Sequence, residues 1–325
     1  MSGRHNARPA QQLYKEFIKN PGITSAVILK FESPNGEDVY NPSVPFESDG
    51  REVIAGRVQK RDCPRSVTMF FSKEGDVYKP VAGAPSFPLE DPFVTIINGE
   101  IILGGVDVQW DGAKALSWRT VFYKGDSIFT LKEFAKGPHH MKDIRLVALP
   151  DGRIAVCSRP QGEKMIKQYG CIAKIGFTVL PSLEHFTPEA VENAPYLEGI
   201  FLPDEWGGAN ELHVLADGKI GIIGHISHKE TQEGVDFLHY YSMAFTVDPD
   251  TLETSEIKVI CSRGCFPGSE SREPRLYDVT FTAGLIRNGD KTASLYTGLS
   301  DCQIGLAKIV DPFCQDVRHN DIKTV

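Results

Sequence analysis

The chain has 325 residues, 41% of them hydrophobic and 24% charged, with a formal net charge of −8 at pH 7. A chain this long buries a large core, and its acidic balance argues against nucleic acid or an anionic membrane as the main partner. A phosphate-bearing ligand would then need a local cluster of cations working against the global field.

Taken from the N-terminus, "MSGRHNARPAQQLYKEF" has no apolar core of a secretory signal, and no window reaches the ~18 apolar residues of a membrane span. Seven cysteines, an odd number without framework spacing, fit a reducing compartment, and the cytoplasm is the default. Residues 1–24 read as an N-terminal extension in which "PAQQLYKEFIKN" is the best helix candidate. The next segment, "SAVILKF" from Ser25 to Phe31, is expected to complete the last repeat of the chain and so close a ring without an open edge.

The repeat itself is marked by turn dipeptides. "DGREVIAGR" from Asp49, "NGEIILGG" from Asn98, "DGRIAVCSR" from Asp151, "DGKIGIIGH" from Asp217 and "NGDKTASLYTG" from Asn288 each place a turn before a β-rich apolar run, the signature of a hairpin with a primed turn. A third strand is expected after each: "SVTMFFSK", "SWRTVFYKG", "GCIAKIGF", "YYSMAFTVD" and "IGLAKIVDP". "TPEAVENAP" is long enough for a helical turn or two. The spacing, about 50 to 70 residues, is too irregular for a solenoid and suits propeller blades with variable outer loops. The expectation is an all-β, five-bladed β-propeller over residues 25–312, with a surface tail over 313–325. A β-sandwich also shows short alternating strands and is the alternative.

A propeller brings the ends of its innermost strands to one central funnel. Polar residues starting the first strands are Asn41, Asp91, Asp143, Asn210 and Asp278; those ending the second are Arg57, Asp107, Arg159, His225 and Asp301, with Glu90 and Lys142 as neighbours. Carboxylates and amides hold sugar hydroxyls, whereas Arg and Lys together bind phosphate. A rim of both kinds suggests a sugar meeting a phosphate, against the plainer reading of structural hydrogen bonds between blades, which weighs most on Asn210 and Asp278. "DPD" at Asp248 to Asp250 reads as a turn. Cys261, Cys265 and "HISH" lack a second clean ligand pair for zinc. No phosphate-loop or dinucleotide fingerprint occurs. Trp110 and Trp118 read as packing, and Trp206, beside "GGAN", as the tryptophan to test for sugar stacking.

"EDPFVTIINGEIILGG", "KDIRLVALPDGRIAVCSRP", "GGANELHVLADGKIGIIGH" and "YDVTFTAGLI…LYTGLSDCQIGLAKI" resemble the β-mannoside phosphorylases and, more closely, the related β-1,2-mannosyltransferase/phosphorylases that build and degrade reserve mannans. The likeness runs from about Asn41 to Pro312. Phe93 stands where those enzymes carry Arg after Glu-Asp-Pro, and Ser158 stands where they carry His before Arg159-Pro160. The resemblance implies an inverting transfer of mannose between β-linked, β-1,2 in the first instance, mannooligosaccharide and phosphate, with Asp91 as general acid acting through a hydroxyl of the bound mannose. Asn41, Arg57, Asp143 and Asp301 would bind the sugar, and Lys142, Arg159 and His225 the phosphate. No cofactor and no metal are expected. The partners implied are mannooligosaccharide, inorganic phosphate or mannose 1-phosphate and, as in some relatives, a nucleotide-mannose donor. Phosphate is already an anionic nucleophile, so no second carboxylate is needed. A glycosidase using water would need one, Asp143 or Asp301. A non-catalytic sugar-binding propeller would need none and would not turn over.

Overall fold

The computed structural model describes residues 6–268 and 270–314. Strands dominate, and the chain runs through successive antiparallel meanders. The first is Asp38–Tyr40 and Phe46–Ser48 with Arg51–Gln59, Ser66–Glu74 and Val77–Pro80. Next come Glu90–Ile97, Glu100–Asp111, Lys114–Gly125 and Lys132–Lys136, then Met141–Ala148, Ile154–Pro160 and Gly176–Leu180. Trp206–Val214, Ile220–Gln232, Val235–Val247 and Lys258–Cys261 follow, and Asp278–Arg287, Thr292–Leu299 and Gln303–Val310 complete the order. The early strand Ile23–Phe31 pairs antiparallel with Gln303–Val310, as the closing-strand expectation required.

The turns show why these segments are hairpins. Asp49-Gly50 and Asn98-Gly99 both have two positive φ angles, the backbone of a type I′ turn. Asp151-Gly152 and Asp217-Gly218 differ: only the glycine is left-handed, with φ of 88° and 84°, so these are longer turns rather than the primed pair expected. The third strand of the third meander is Gly176–Leu180, displaced from the expected "GCIAKIGF" because Glu163–Tyr169 forms a helix absent from the sequence expectations. Packing rests on side chains such as Ile54, Ile102, Phe122 and Phe177, all fully buried and each stabilising the fold by ~1.5–3 kcal/mol.

The N-terminal helix is Ala10–Phe17. It is no loose extension: Ala10, Leu13 and Phe17 are buried in the same cluster as Ile220, Ile222 and Tyr241, and the Tyr14 and Tyr241 rings stack at 4.4 Å. Glu205 caps its first turn by accepting from the Ala10 amide at 2.6 Å. "TPEAVENAP" holds the short helix Pro188–Glu192, capped by Thr187. The expected tail over 313–325 lies outside the described residues from 315 onward. Among the described residues no helix is long and apolar enough to cross a membrane, and all seven cysteines are free.

One local device positions the polar residues. The first strands of four meanders carry a register shift, between Glu90 and Phe93, Lys142 and Arg145, Ala209 and Glu211, and Thr282 and Gly284. Such bulges re-aim a side chain away from the ladder. Asp91, Asp143 and Asn210 sit at the first three, and Asp91 and Asp143 take left-handed φ of 49° and 48°; Asn41, after Asp38–Tyr40, takes 44°. A cavity of about 40 Å³ near this point is lined by Phe93, Arg145, Asn210 and Ala283 from four first strands and by Val44 from the loop after Asp38–Tyr40, so these segments converge there.

Candidate active site

Asp91 is the centre of the polar cluster. Its Oδ1 accepts from Asn41 Nδ2 at 2.8 Å and from Arg57 Nη1 at 3.0 Å. Arg57 also reaches Glu90 at 3.2 Å and donates to Gln59 at 2.9 Å, with its guanidinium 5.1 Å from the centre of the buried Tyr40 ring. Lys142 approaches Glu90 at 3.7 Å. Asn41 is seated by a close approach: a Cβ at Gly298 would lie 1.8 Å from its Oδ1, so that position accepts only glycine. Asn41 Oδ1 has no partner, leaving an acceptor beside the Asp91 carboxylate.

Charge distribution separates the carboxylates. Burial alone would raise Asp91, but Arg57, Lys142 and the Asn41 hydrogen bond outweigh it and hold the group at about 2. Asp301, in a left-handed turn with φ of 53°, goes the other way: burial and the neighbouring negative charge of Asp91 raise it to about 6, against the pull of Arg57 and Arg272. Two groups with opposite shifts in one cluster are the pattern expected of a proton-handling site.

Behind them lies a second, drier layer. Asp143 is 2% exposed and its carboxylate pairs with Arg159 Nε at 3.2 Å and Arg145 Nη2 at 3.5 Å. Burial raises Asp143, yet the two arginines leave it net lowered. Gly208 lets the adjacent strand in against it, since a Cβ there would lie 2.6 Å from Oδ2. Asp143, expected to hold mannose hydroxyls, keeps its carboxylate within ion-pair distance of both arginines, while its Oδ2 makes no hydrogen bond. His225, expected among the phosphate ligands, lies in the same layer, beside Arg159. It is fully buried, its ring stacks on Tyr240 at 5.3 Å, Nδ1 lies 2.7 Å from Asn210 Oδ1 and Nε2 lies 3.1 Å from Arg159 Nη1. Burial lowers it to about 3, so it is neutral at pH 7. The neutral tautomer that donates from Nδ1 to Asn210 and accepts at Nε2 from Arg159 satisfies both contacts.

That assignment has a thermodynamic consequence. Unfolding lets His225 take up a proton anywhere between its folded value of about 3 and its ordinary value of about 6.5, so stability rises with pH through that window and is complete above it. Chemical denaturation at pH 5 and pH 7 is expected to show a larger drop in unfolding midpoint on acidification for the wild type than for His225→Asn. Equal drops would mean His225 is charged in the folded protein.

Of the remaining expected rim residues, Asp107 accepts from Gln109 at 3.1 and 3.2 Å. Asp278 does not join the cluster. The bulge residue of its strand is Ala283, five residues on, and Asp278 instead accepts from Tyr241 at 3.2 Å and lies 2.7 Å from His239 Nδ1. Trp206 Nε1 donates to Tyr240 at 2.9 Å and supports the ring under His225. The "DPD" segment is a turn, Asp248 accepting from the amides of Asp250 and Thr251.

Four members of the site were missed: Tyr40, Gln59, Arg145 and Arg272. Arg145 was legible, since it lies two residues beyond Asp143 on the same strand. Its guanidinium lies 4.1 Å from the centre of the Phe93 ring. Arg272, 5.8 Å from the Tyr40 ring centre, comes from an irregular segment with no periodic signal.

The geometry then meets its relatives. A family model described as Protein of unknown function (DUF1861) matches residues 15–315. A search of the curated proteins finds no match. Among solved structures, the chain is similar to MPT-4, a mannose phosphorylase from Leishmania mexicana in complex with phosphate ion, at 38% identity over 93% of each chain and a TM-score of 0.86. It is similar to MPT-1, a GDP-Man-dependent mannosyltransferase from Leishmania mexicana, at 34% identity over 94% of this chain and 95% of that one, with a TM-score of 0.84. A β-1,2-mannobiose phosphorylase from Listeria innocua shares 15% identity over 90% of this chain and 95% of that one, with a TM-score of 0.60, a likeness of fold. The fold is of the propeller type.

Proposed function

The chain belongs to the family described as Protein of unknown function (DUF1861), in the mannosyltransferase/phosphorylase group of the two Leishmania proteins, and we propose that it transfers mannose reversibly between a β-1,2-linked mannooligosaccharide and phosphate with inversion. It is a glycosyl-transferring enzyme. The observation that carries the reading is Asp91 set among cations, with Arg57 on its carboxylate at 3.0 Å and Lys142 at 3.7 Å from the adjoining Glu90, and Arg159 in the layer behind, paired with Asp143. Inversion needs the nucleophile and the leaving oxygen on opposite faces of the sugar. Asp91 serves the glycosidic oxygen, and Lys142 with Arg159 place phosphate for in-line attack. Asn41, Arg57 and Asp301 hold the mannose, while Asp143 and His225 keep Arg159 in position.

The ionised Asp91 of the free enzyme is the form that accepts a proton from an incoming sugar hydroxyl, the synthetic direction. Phosphate binding would engage Lys142, one of the cations that hold Asp91 low, and raise its proton affinity for the reverse reaction. A cavity of about 380 Å³ lined by Glu90, Asp107, Gln109 and Trp110 adjoins the Asp91 strand and suits the oligosaccharide acceptor. We read the meanders as five blades, residues 25–312 as one domain preceded by the N-terminal extension 1–24, whose helix Ala10–Phe17 docks on it, and the compartment as cytoplasmic, which the free cysteines support.

Incubating β-1,2-mannobiose with and without phosphate tests the proposal. Mannose 1-phosphate should form only with phosphate. Release of free mannose at the same rate in both would favour a glycosidase, and no turnover a binding protein. Asp301 adds a pH dependence. It carries its proton below about 6 and loses it above, in the field of Arg57, Asp91, Arg272 and Glu90. The wild-type profile should therefore bend near pH 6, and Asp301→Asn should lose that bend. An unchanged profile would remove Asp301 from the proton inventory.

A further inference from the structure

Asp301 enters the cup without a side-chain anchor. Its carboxylate lies in the field of Arg57, Glu90, Asp91 and Arg272, yet among the described residues it makes no hydrogen bond and no ion pair. Asp91, by contrast, is fixed by Asn41 and Arg57, and Asp143 by two arginines. The backbone alone must place Asp301.

That backbone is a turn with an unusual residue in it. Ser300 and Asp301 both have left-handed φ, 49° and 53°, and the Cys302 amide closes the turn on the Leu299 carbonyl at 3.0 Å. Such a turn favours Asn, Asp or Gly, and serine brings no preference for it. In the preceding meander Glu233-Gly234 makes the corresponding turn, with both φ again positive, at an exposed tip. Ser300 is instead fully buried and bonded on every side. Its amide donates to the Val279 carbonyl at 2.9 Å, and its own carbonyl accepts from the Arg272 amide at 2.9 Å. Its hydroxyl donates to the Tyr277 carbonyl at 2.9 Å and accepts from Arg263 Nε at 3.3 Å.

Arg263 is the costly member of this set. It is 3% exposed and has no carboxylate partner among the described residues. Its other N–H groups donate to the carbonyls of Phe266 at 3.3 Å, Pro267 at 3.4 Å and Gly268 at 3.0 Å. Burying a charge is expensive unless it is paired, and a hairpin turn needs no such group to form. Arg263 opens the short helix Arg263–Cys265 that follows Lys258–Cys261, so it ties the end of the fourth meander to the Asp301 turn of the fifth. Resting on the reading above, in which Asp301 holds the mannose, we propose that Arg263 and Ser300 are positioning residues of the sugar site. They lock a left-handed turn so that the Asp301 carboxylate stands free to accept from a mannose hydroxyl.

Calorimetric titration of the full chain with β-1,2-mannobiose in the absence of phosphate, and separately with inorganic phosphate, tests this. Ser300→Gly suits a left-handed φ and keeps the buried guanidinium, but it frees the turn and removes the hydroxyl. It should weaken mannobiose about tenfold, the scale of one hydrogen bond to a charged group, and leave phosphate within twofold. Asp301→Asn should weaken mannobiose to a similar extent. Adding Ser300→Gly to Asp301→Asn should then cost less than about twofold more, because both changes remove one and the same interaction. Arg263→Lys keeps the buried charge without the planar fork and should show the same mannobiose-only loss, again cancelled by Asp301→Asn. Losses that multiply in the double variants, equal weakening of both ligands, or unchanged mannobiose affinity in Ser300→Gly would overturn the assignment, as would a wild type that does not bind mannobiose. Phosphate-dependent cleavage of β-1,2-mannobiose run alongside separates the two claims. Sugar binding with the cancelling pattern but no cleavage defeats only the phosphorylase reading, and cleavage with multiplying losses defeats only the positioning role.

Discussion

Asp91→Asn is expected to lower mannosyl transfer by about 10²–10⁴-fold in either direction, the range spanned by a positioned proton donor or acceptor. The amide retains the volume of the carboxylate and a contact for Arg57, so the fold should survive, and the unfolding midpoint should stay close to the wild type. The loss should appear in kcat more than in KM, because proton transfer is made in the transition state and adds little to ground-state binding. Initial rates of mannose 1-phosphate formation and of its consumption check both directions. A variant within about threefold of wild type would assign the proton to another group, and Asp301, raised by its burial to about 6, would be the next candidate.

The second large effect concerns Arg159. Arg159→Ala should raise KM for phosphate about 10- to 100-fold, the cost of losing hydrogen bonds to a charged group, while KM for the mannooligosaccharide changes little. It also leaves Asp143 with Arg145 as its remaining cation and exposes His225 Nε2 to an empty space, so a stability loss of roughly 3–5 kcal/mol is expected from a broken buried pair. Arg159→Lys keeps the charge but not the fork that reaches both Asp143 and His225. It should recover part of the phosphate affinity and less of the stability. Steady-state kinetics with phosphate and acceptor varied separately, paired with urea unfolding, measure both. A KM change of equal size for the two substrates would place Arg159 in the scaffold alone.

The cup was readable because its members sit at repeated positions of repeated hairpins. Asp91 before Pro92 and Lys142-Asp143 open strands whose turns and apolar runs are visible as text, and the same logic brought Arg57, Arg159 and Asp301 to the second-strand ends. What strand starts do not reveal is the bulge. Asp278 opens its strand as Asp91 and Asp143 do, but the re-aimed position in that strand is Ala283, a residue with nothing polar to offer. Nor does position reveal charge state: His225 stands where a phosphate ligand would, and only its complete burial, with Asn210 and Arg159 on its two nitrogens, turns it into a neutral spacer. Arg272 and Tyr40 entered through tertiary contacts that no period encodes. The helix Glu163–Tyr169 was passed over because it is seven residues long, too short for a helical period to stand out.

The account depends on one displacement across the cup, with Asp91 on the leaving oxygen and Lys142 and Arg159 behind the anomeric carbon. Proton NMR of β-1,2-mannobiose turning over in phosphate buffer reads that directly through the configuration of the first-formed product. α-Mannose 1-phosphate is the predicted product. β-Mannose 1-phosphate would demand a covalent intermediate and two displacements, and would contradict it.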